Sequence, residues 1–160
     1  MPSTKVIYVA AVVVVLIIAG YRYHIISLQP GTVTTSIPSS FTVNGKTYTF
    51  NYTATTQSER EKGLMNTRIT SSTTMLFAFP STGEWSFWMY DTNTSLDIIW
   101  INSAGSSARV VYLVSGAPSC YNSSLCTVYT PTSPADFVIE ARAGFASVNG
   151  IAVGTTISFS

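Results

Sequence analysis

The chain has 160 residues, a net charge of +1 and only 9% charged side chains. Ser, Thr and Tyr hydroxyls therefore carry its solubility, a composition that suits an acidic exterior where carboxylates lose their charge, or a glycosylated one. Apart from Lys5 and Arg22 near the N-terminus, six basic residues face seven acidic ones, which excludes the basic field that nucleic-acid binding needs.

Residues 1–26 read as an N-terminal membrane anchor. Val6 to Tyr21 is an unbroken apolar run that would cover about 24 Å as a helix. Continuing through Tyr23, Ile25, Ile26 and Leu28 makes it long enough for a hydrocarbon core of about 30 Å. Arg22 and His24 then snorkel into the headgroup layer, with Tyr21 and Tyr23 as interfacial aromatics. Neither Ala19-Gly20-Tyr21 nor Ile26-Ser27-Leu28 offers a small-x-small cleavage site, so a retained signal-anchor is expected. Residues 27–40, with Pro30, Gly31 and Pro38, read as a linker. Lys5 and Arg22 balance across the span and do not orient it. The Asn-x-Ser/Thr sequons at Asn51, Asn93 and Asn122 and two closely spaced cysteines place the domain outside the cell membrane on a single tether.

Residues 41–160 form the expected extracytoplasmic domain. Phe41–Val43 and Lys46–Tyr52 flank Asn44-Gly45, the dipeptide favoured in a type I′ hairpin turn. Thr56 and Glu59 have capping-box spacing and open a helix over Gln57–Leu64. Further strands are expected at Thr73–Phe79, Trp85–Tyr90, Leu96–Ile101, Ala108–Leu113, Asp136–Ala141 and Thr156–Phe159. Short strands at such close intervals predict a mostly β (α+β) domain, a compact barrel or sandwich with one short helix beside it.

Three segments stand out: Glu59-Arg60-Glu61-Lys62-Gly63-Leu64-Met65, Met75-Leu76-Phe77-Ala78-Phe79, and the aromatic run from Phe87 to Ile101. With Cys120, Cys126, Tyr129, Pro131, Ala135 to Glu140, Ala143-Gly144, Gly150-Ile151 and Gly154, they resemble the family known as domain of unknown function 192. The resemblance spans Phe41 to Phe159. It implies a small mostly β domain and no defined reaction. The family usually has Lys-Asn-Thr after Trp-Met and a proline before Leu-Asp. Here Tyr90-Asp91-Thr92 and Ser95 stand instead, and the cation that the lysine would bring to an anionic ligand is lost.

The single histidine, His24, lies at the membrane edge, which removes Ser-His and Cys-His nucleophiles and ordinary zinc sites from the domain. No metal or cofactor is expected. Carboxylates remain: Glu59, Glu84, Asp91, Asp97 and Glu140, with Asp91 and Asp97 in the most marked segment. A close pair would share a proton, hold a hard cation or work as acid and base; alternatively, Asp97 satisfies backbone donors or an arginine, first of all Arg60. On a strand, Trp85, Phe87 and Met89 face one side, and Ser86, Trp88 and Tyr90 the other. Trp88 and Tyr90 are the pair for an exposed platform. Cys120 and Cys126 read as a disulfide closing a short loop.

Three functions compete. The leading one is a tethered binding module for a small polar ligand, a glycan or an envelope partner, with a site joining Arg60, Trp88, Tyr90, Asp91 and Asp97. The second is a hydrolase using Asp91 and Asp97, or Glu140. The third is an accessory subunit of a membrane or surface complex, packing through Val6–Tyr21. A binder is favoured over an enzyme.

Overall fold

The computed structural model describes residues 37–103 and 108–160. The expected anchor and most of the expected linker lie outside these residues. No helix among the described residues is long and apolar enough to cross a membrane.

The chain builds an eight-stranded sheet from β1 (Ser40–Val43), β2 (Lys46–Thr49), β3 (Tyr52–Ala54), β4 (Thr74–Gly83), β6 (Leu96–Asn102), β7 (Ala108–Ala117), β9 (Ala135–Arg142) and β10 (Thr156–Phe159), in the order β2-β1-β10-β7-β6-β9-β4-β3. A two-stranded ribbon, β5 (Phe87–Trp88) with β8 (Val128–Tyr129), stands apart from it. Helix α1 spans Gln57–Lys62, and one helical turn, α2, spans Phe145–Val148. The domain is thus mostly β with a short helix. The sheet is not closed into the expected barrel: its order begins with β2 and ends with β3, which are successive stretches of one chain run. Before Phe50 the run pairs antiparallel with β1; after Asn51 it pairs parallel with β4.

Local chemistry sets these elements. Asn44 and Gly45 take φ of 48° and 78°, the left-handed pair that a type I′ turn requires. Thr56 accepts a hydrogen bond from the Glu59 amide, and Glu59 Oε2 accepts from the Thr55 and Thr56 amides at 2.8 and 2.9 Å. This reciprocal cap satisfies amides that a helix start otherwise leaves unpaired. The helix stops at Gly63, whose φ of 49° and ψ of −136° belong to a region that disfavours side chains bearing a Cβ.

Central strands are buried on both faces, so they carry apolar residues without a polar alternate. One face packs Phe41, Val43, Leu76, Ile99, Ile101, Val110, Ile139 and Ile157. The other packs Met75, Phe77, Leu96, Ile98, Trp100 and Val138 with Leu64 and Met89. Register fixes this division: Ile98 and Met75 both lie opposite Glu140, while Asp97 lies opposite Ala141.

Bonds from Thr55 and Thr56 hold the exposed Glu59 carboxyl down at about 2, against an ordinary value of 4.5. A depressed carboxyl stabilises the fold above its unfolded value and stops doing so as pH falls through its folded one. Hydrogen exchange at the Arg60 and Gly63 amides should therefore quicken as pH is lowered from 4.5 toward 2, beyond the intrinsic change. Glu59→Ala should show the same loosening at pH 7. Unchanged protection in that variant would dissociate the cap from the helix.

Candidate functional site

A cavity of about 440 Å³ opens on the Trp100 face of the sheet, between α1 and the segment Trp85–Tyr90. Helix α1 and its exit supply Arg60, Glu61, Lys62, Gly63 and Leu64. The aromatic wall is Phe77, Phe79, Trp85, Phe87, Trp88 and Tyr90. Its rings brace one another. Trp85 stacks on Phe79 with centroids 4.4 Å apart, and Phe87 meets both Phe77 and Trp100 edge-on. Trp100 Nε1 donates to the Trp85 carbonyl at 2.8 Å, tying the aromatic segment to the central strand. Buried indoles bring this N–H and need such an acceptor.

The strand alternation divides the aromatics. Phe87 and Met89 point into the core with Trp85 beside them, whereas Trp88 and Tyr90 lie on the outer side with ring centroids 5.4 Å apart. Trp88 is 41% exposed. Both Trp88 and Tyr90 reach the cavity, as does Arg60. Arg60 Nη1 donates to the carbonyls of Thr55 and Ala78 at 2.6 and 3.0 Å, and its guanidinium lies 5.2 Å over the Phe79 ring. Three of the five expected site residues, Arg60, Trp88 and Tyr90, therefore meet at one cavity.

The two aspartates do not line it. Asp91 adopts φ of 50° at a backbone crossing, where its amide donates to the Cys120 carbonyl and its own carbonyl accepts from Asn66. Asp97 is 1% exposed and belongs to the opposite face of the sheet. Its Oδ1 accepts from the Gly116 amide and its Oδ2 from the Ala146 amide, both at 2.8 Å. It satisfies backbone donors at a bend of β7 and at the start of α2. Arg60 is not its partner. An acid–base pair of Asp91 and Asp97 is absent from this geometry, because the two occupy separate environments.

Two carboxyls line the cavity, the exposed Glu61 and the buried Glu140; Glu140 is the one on its floor. It is 4% exposed, and burial pushes it up to about 8 from an ordinary 4.5. No hydrogen bond to its carboxyl forms among the described residues, and its cross-strand neighbours Met75 and Ile98 are apolar. Gly63 borders the same carboxyl: a Cβ there would come within 3.9 Å of Glu140 Oε2 and 3.4 Å of the Phe77 ring. Glu140 had a sequence signal. It follows the apolar run Phe137-Val138-Ile139, and such a strand in the middle of a sheet offers no solvated face.

Elsewhere, Cys120 and Cys126 form a disulfide, and the sequon residues Asn51, Asn93 and Asn122 are exposed. Exposed Tyr121, Leu125 and Val128 accompany that loop, and Val128 pairs with Trp88 across the ribbon.

Two acids of opposite character give opposite expectations. Asp97→Ala leaves two amides without their acceptor and should cost about 3 kcal/mol in urea unfolding. Glu140 is neutral in both folded and unfolded chains below pH 4.5. Between 4.5 and 8 only the unfolded chain ionises, so stability falls as pH rises and levels off above 8. Glu140→Gln should match the parent at pH 4 and exceed it by roughly 4–5 kcal/mol at pH 8.5. Equal stability at both values would mean that the Glu140 carboxylate is well solvated.

Comparison with known proteins agrees with this architecture. One solved structure, a Sinorhizobium meliloti 1021 protein provisionally described as a transcription regulator, aligns with a TM-score of 0.61 at 24% identity, over 75% of this chain and 90% of that one. Another, a protein of unknown function from Novosphingobium aromaticivorans DSM 12444, aligns with a TM-score of 0.63 at 27% identity, over 76% and 84%. No curated protein matches the chain. The model of the family DUF192, described as "Uncharacterized ACR", matches residues 39–159, and with three-quarters of its length so matched the chain belongs to that family.

Proposed function

We propose that this chain is a membrane-tethered extracytoplasmic binding module that takes a small polar ligand or the end of a glycan into the Glu140 cavity. The observation that carries the reading is a buried carboxyl without a hydrogen-bond partner among the described residues, on the floor of an aromatic-walled cavity. The carboxyl oxygens open onto the cavity rather than being sealed in the core, so a ligand there can supply the hydrogen bond that the protein does not. The cavity volume falls within the range of small-molecule sites.

The outward topology is supported by the apolar run Val6–Tyr21, the Cys120–Cys126 disulfide and three sequons at exposed asparagines. Disulfides persist in oxidising compartments. A regulator acting on DNA is not favoured, because acidic residues outnumber basic ones over residues 37–160. A second reading, an accessory subunit of a surface complex, draws on exposed Trp88, Tyr121, Leu125 and Val128 around the ribbon and the disulfide loop. Hydrolysis by Asp91 and Asp97 has no support in the geometry.

Tryptophan fluorescence of the full-length protein in detergent, titrated with a library of small polar compounds, tests the leading reading. Binders should change the emission, and the change should be lost in both Trp88→Ala and Glu140→Ala. Binders whose response survives both substitutions would locate the site elsewhere. Intact cells should also expose the domain to an impermeant biotinylating reagent at Lys46 and Lys62; labelling only after lysis would reverse the topology.

A further inference from the structure

We infer that the ligand of this cavity is a neutral sugar unit, its hydroxyls exchanging hydrogen bonds with the Glu140 carboxyl on the floor while its ring packs against Trp88 and Tyr90. The inference rests on the binding reading above and narrows it to one chemical class.

The lining selects by charge. Arg60, Glu61 and Lys62 from α1 and the Tyr90 phenol from the aromatic segment are the titratable and charged groups around the cavity besides Glu140. Strands β4 and β6 present apolar Met75, Phe77 and Ile98 to that carboxyl. Two cations against Glu61 disfavour an amine. Arg60 is tethered, since Nη1 serves two backbone carbonyls and the guanidinium packs on Phe79, and only Nε and Nη2 remain for a ligand. An anion on the floor would give up its hydration in a low-dielectric site beside a neutral acid rather than a cation.

A neutral polyol meets none of these penalties. A protonated carboxyl has one O–H to donate and lone pairs to accept, the same mixed capacity that each sugar hydroxyl has. The weakly polar face of a sugar ring packs on aromatic rings, and Trp88 and Tyr90 stand at the cavity as a tilted pair. The half-exposed Trp88 puts this surface where the last unit of a longer chain can enter.

The arrangement makes binding depend on the protonated acid. With Glu140 held up at about 8, affinity should be level through pH 6–7 and fall tenfold per unit well above 8, to about 30-fold weaker at pH 9.5. Glutamine reproduces the donor and the acceptor of the neutral acid without titrating.

The test is calorimetry on the full-length protein in a glycoside-free detergent, with methyl glycosides of neutral hexoses and N-acetylhexosamines as probes. Glucuronate and glucosamine serve as charged counterparts at pH 6, where glucosamine is an ammonium, and the neutral glycosides are measured at pH 6 and 9.5. A neutral glycoside should bind at least tenfold more tightly than its charged counterparts and weaken about 30-fold at pH 9.5. Glu140→Gln should keep the affinity and lose the pH dependence, while Glu140→Ala should lose the affinity. Equal affinity for charged and neutral probes, a flat pH profile in the parent, or a Gln variant as weak as the Ala variant would overturn the inference. Failure of every glycoside, with another compound class binding in a Glu140-dependent way, overturns the sugar and leaves the pocket reading intact. Failure of both glycosides and the wider library removes both.

Discussion

The register between β6 and β9 is the constraint on which the rest of this domain depends. It sets Ile98 opposite Glu140 and Asp97 opposite Ala141, and so assigns the two buried acids of these central strands to opposite faces. Side chains alternate along a strand, so a slip of one residue in either strand would turn that strand's acid to the other face. Asp97 would then lose the Gly116 and Ala146 amides, or Glu140 would leave the cavity for the core around Phe41. The apolar residues on each side of these acids are matched to their own cluster, which is what specifies the register.

The two acids illustrate how one residue type serves structure or function according to what meets it. Asp97 is fully used: each oxygen accepts a backbone amide, and the aspartate joins β6 to β7 and α2. Glu140 is buried as deeply, yet it meets carbon on its strand neighbours and open space above. Such a group lowers stability at neutral pH, and the surrounding framework bears that cost. Bracing among Phe77, Phe79, Trp85, Phe87 and Trp100, with the indole bond to Trp85, holds the aromatic wall in place. The capping box and Gly63 end α1 where its exit borders the carboxyl. A preformed wall of this kind spares a ligand the cost of ordering its own site.

Much of the fold was legible in the sequence because local chemistry dictates it. Asn44-Gly45 specified a turn, and Thr56 with Glu59 specified a cap. The helix ends at Lys62 rather than Leu64 because Gly63 leaves helical geometry. Long-range pairing was less legible. The run Trp85–Tyr90 is strand-like in pattern, yet it pairs only in short pieces, Phe87 and Trp88 with Val128 and Tyr129 some forty residues on, and Tyr90 with Cys120 by a single parallel bridge. Nothing local in Cys126-Thr127-Val128-Tyr129 announces that partner. Partner switching at Phe50–Asn51 likewise depends on tertiary pairing, so open and closed sheets share one local pattern. At the site, Arg60, Trp88 and Tyr90 converge as their segments suggested. Asp91 and Asp97 drew attention through their aromatic neighbours, but burial and backbone donors decide an acid's role. Glu140 was one of five candidate acids, and its distinction rests on β4 and β6 flanking β9, which no local window reveals.

Carbon-13 NMR of the glutamate side-chain carboxyls in the ligand-free protein, with Glu140 assigned by comparison with Glu140→Gln, measures the central claim without needing a ligand. The carboxyl resonance of Glu140 should stay that of a neutral acid through pH 7 and titrate near 8, while that of Glu59 titrates near 2. A Glu140 midpoint near 4.5 would mean a solvated, ionised side chain, and the cavity would lose the group that defines it.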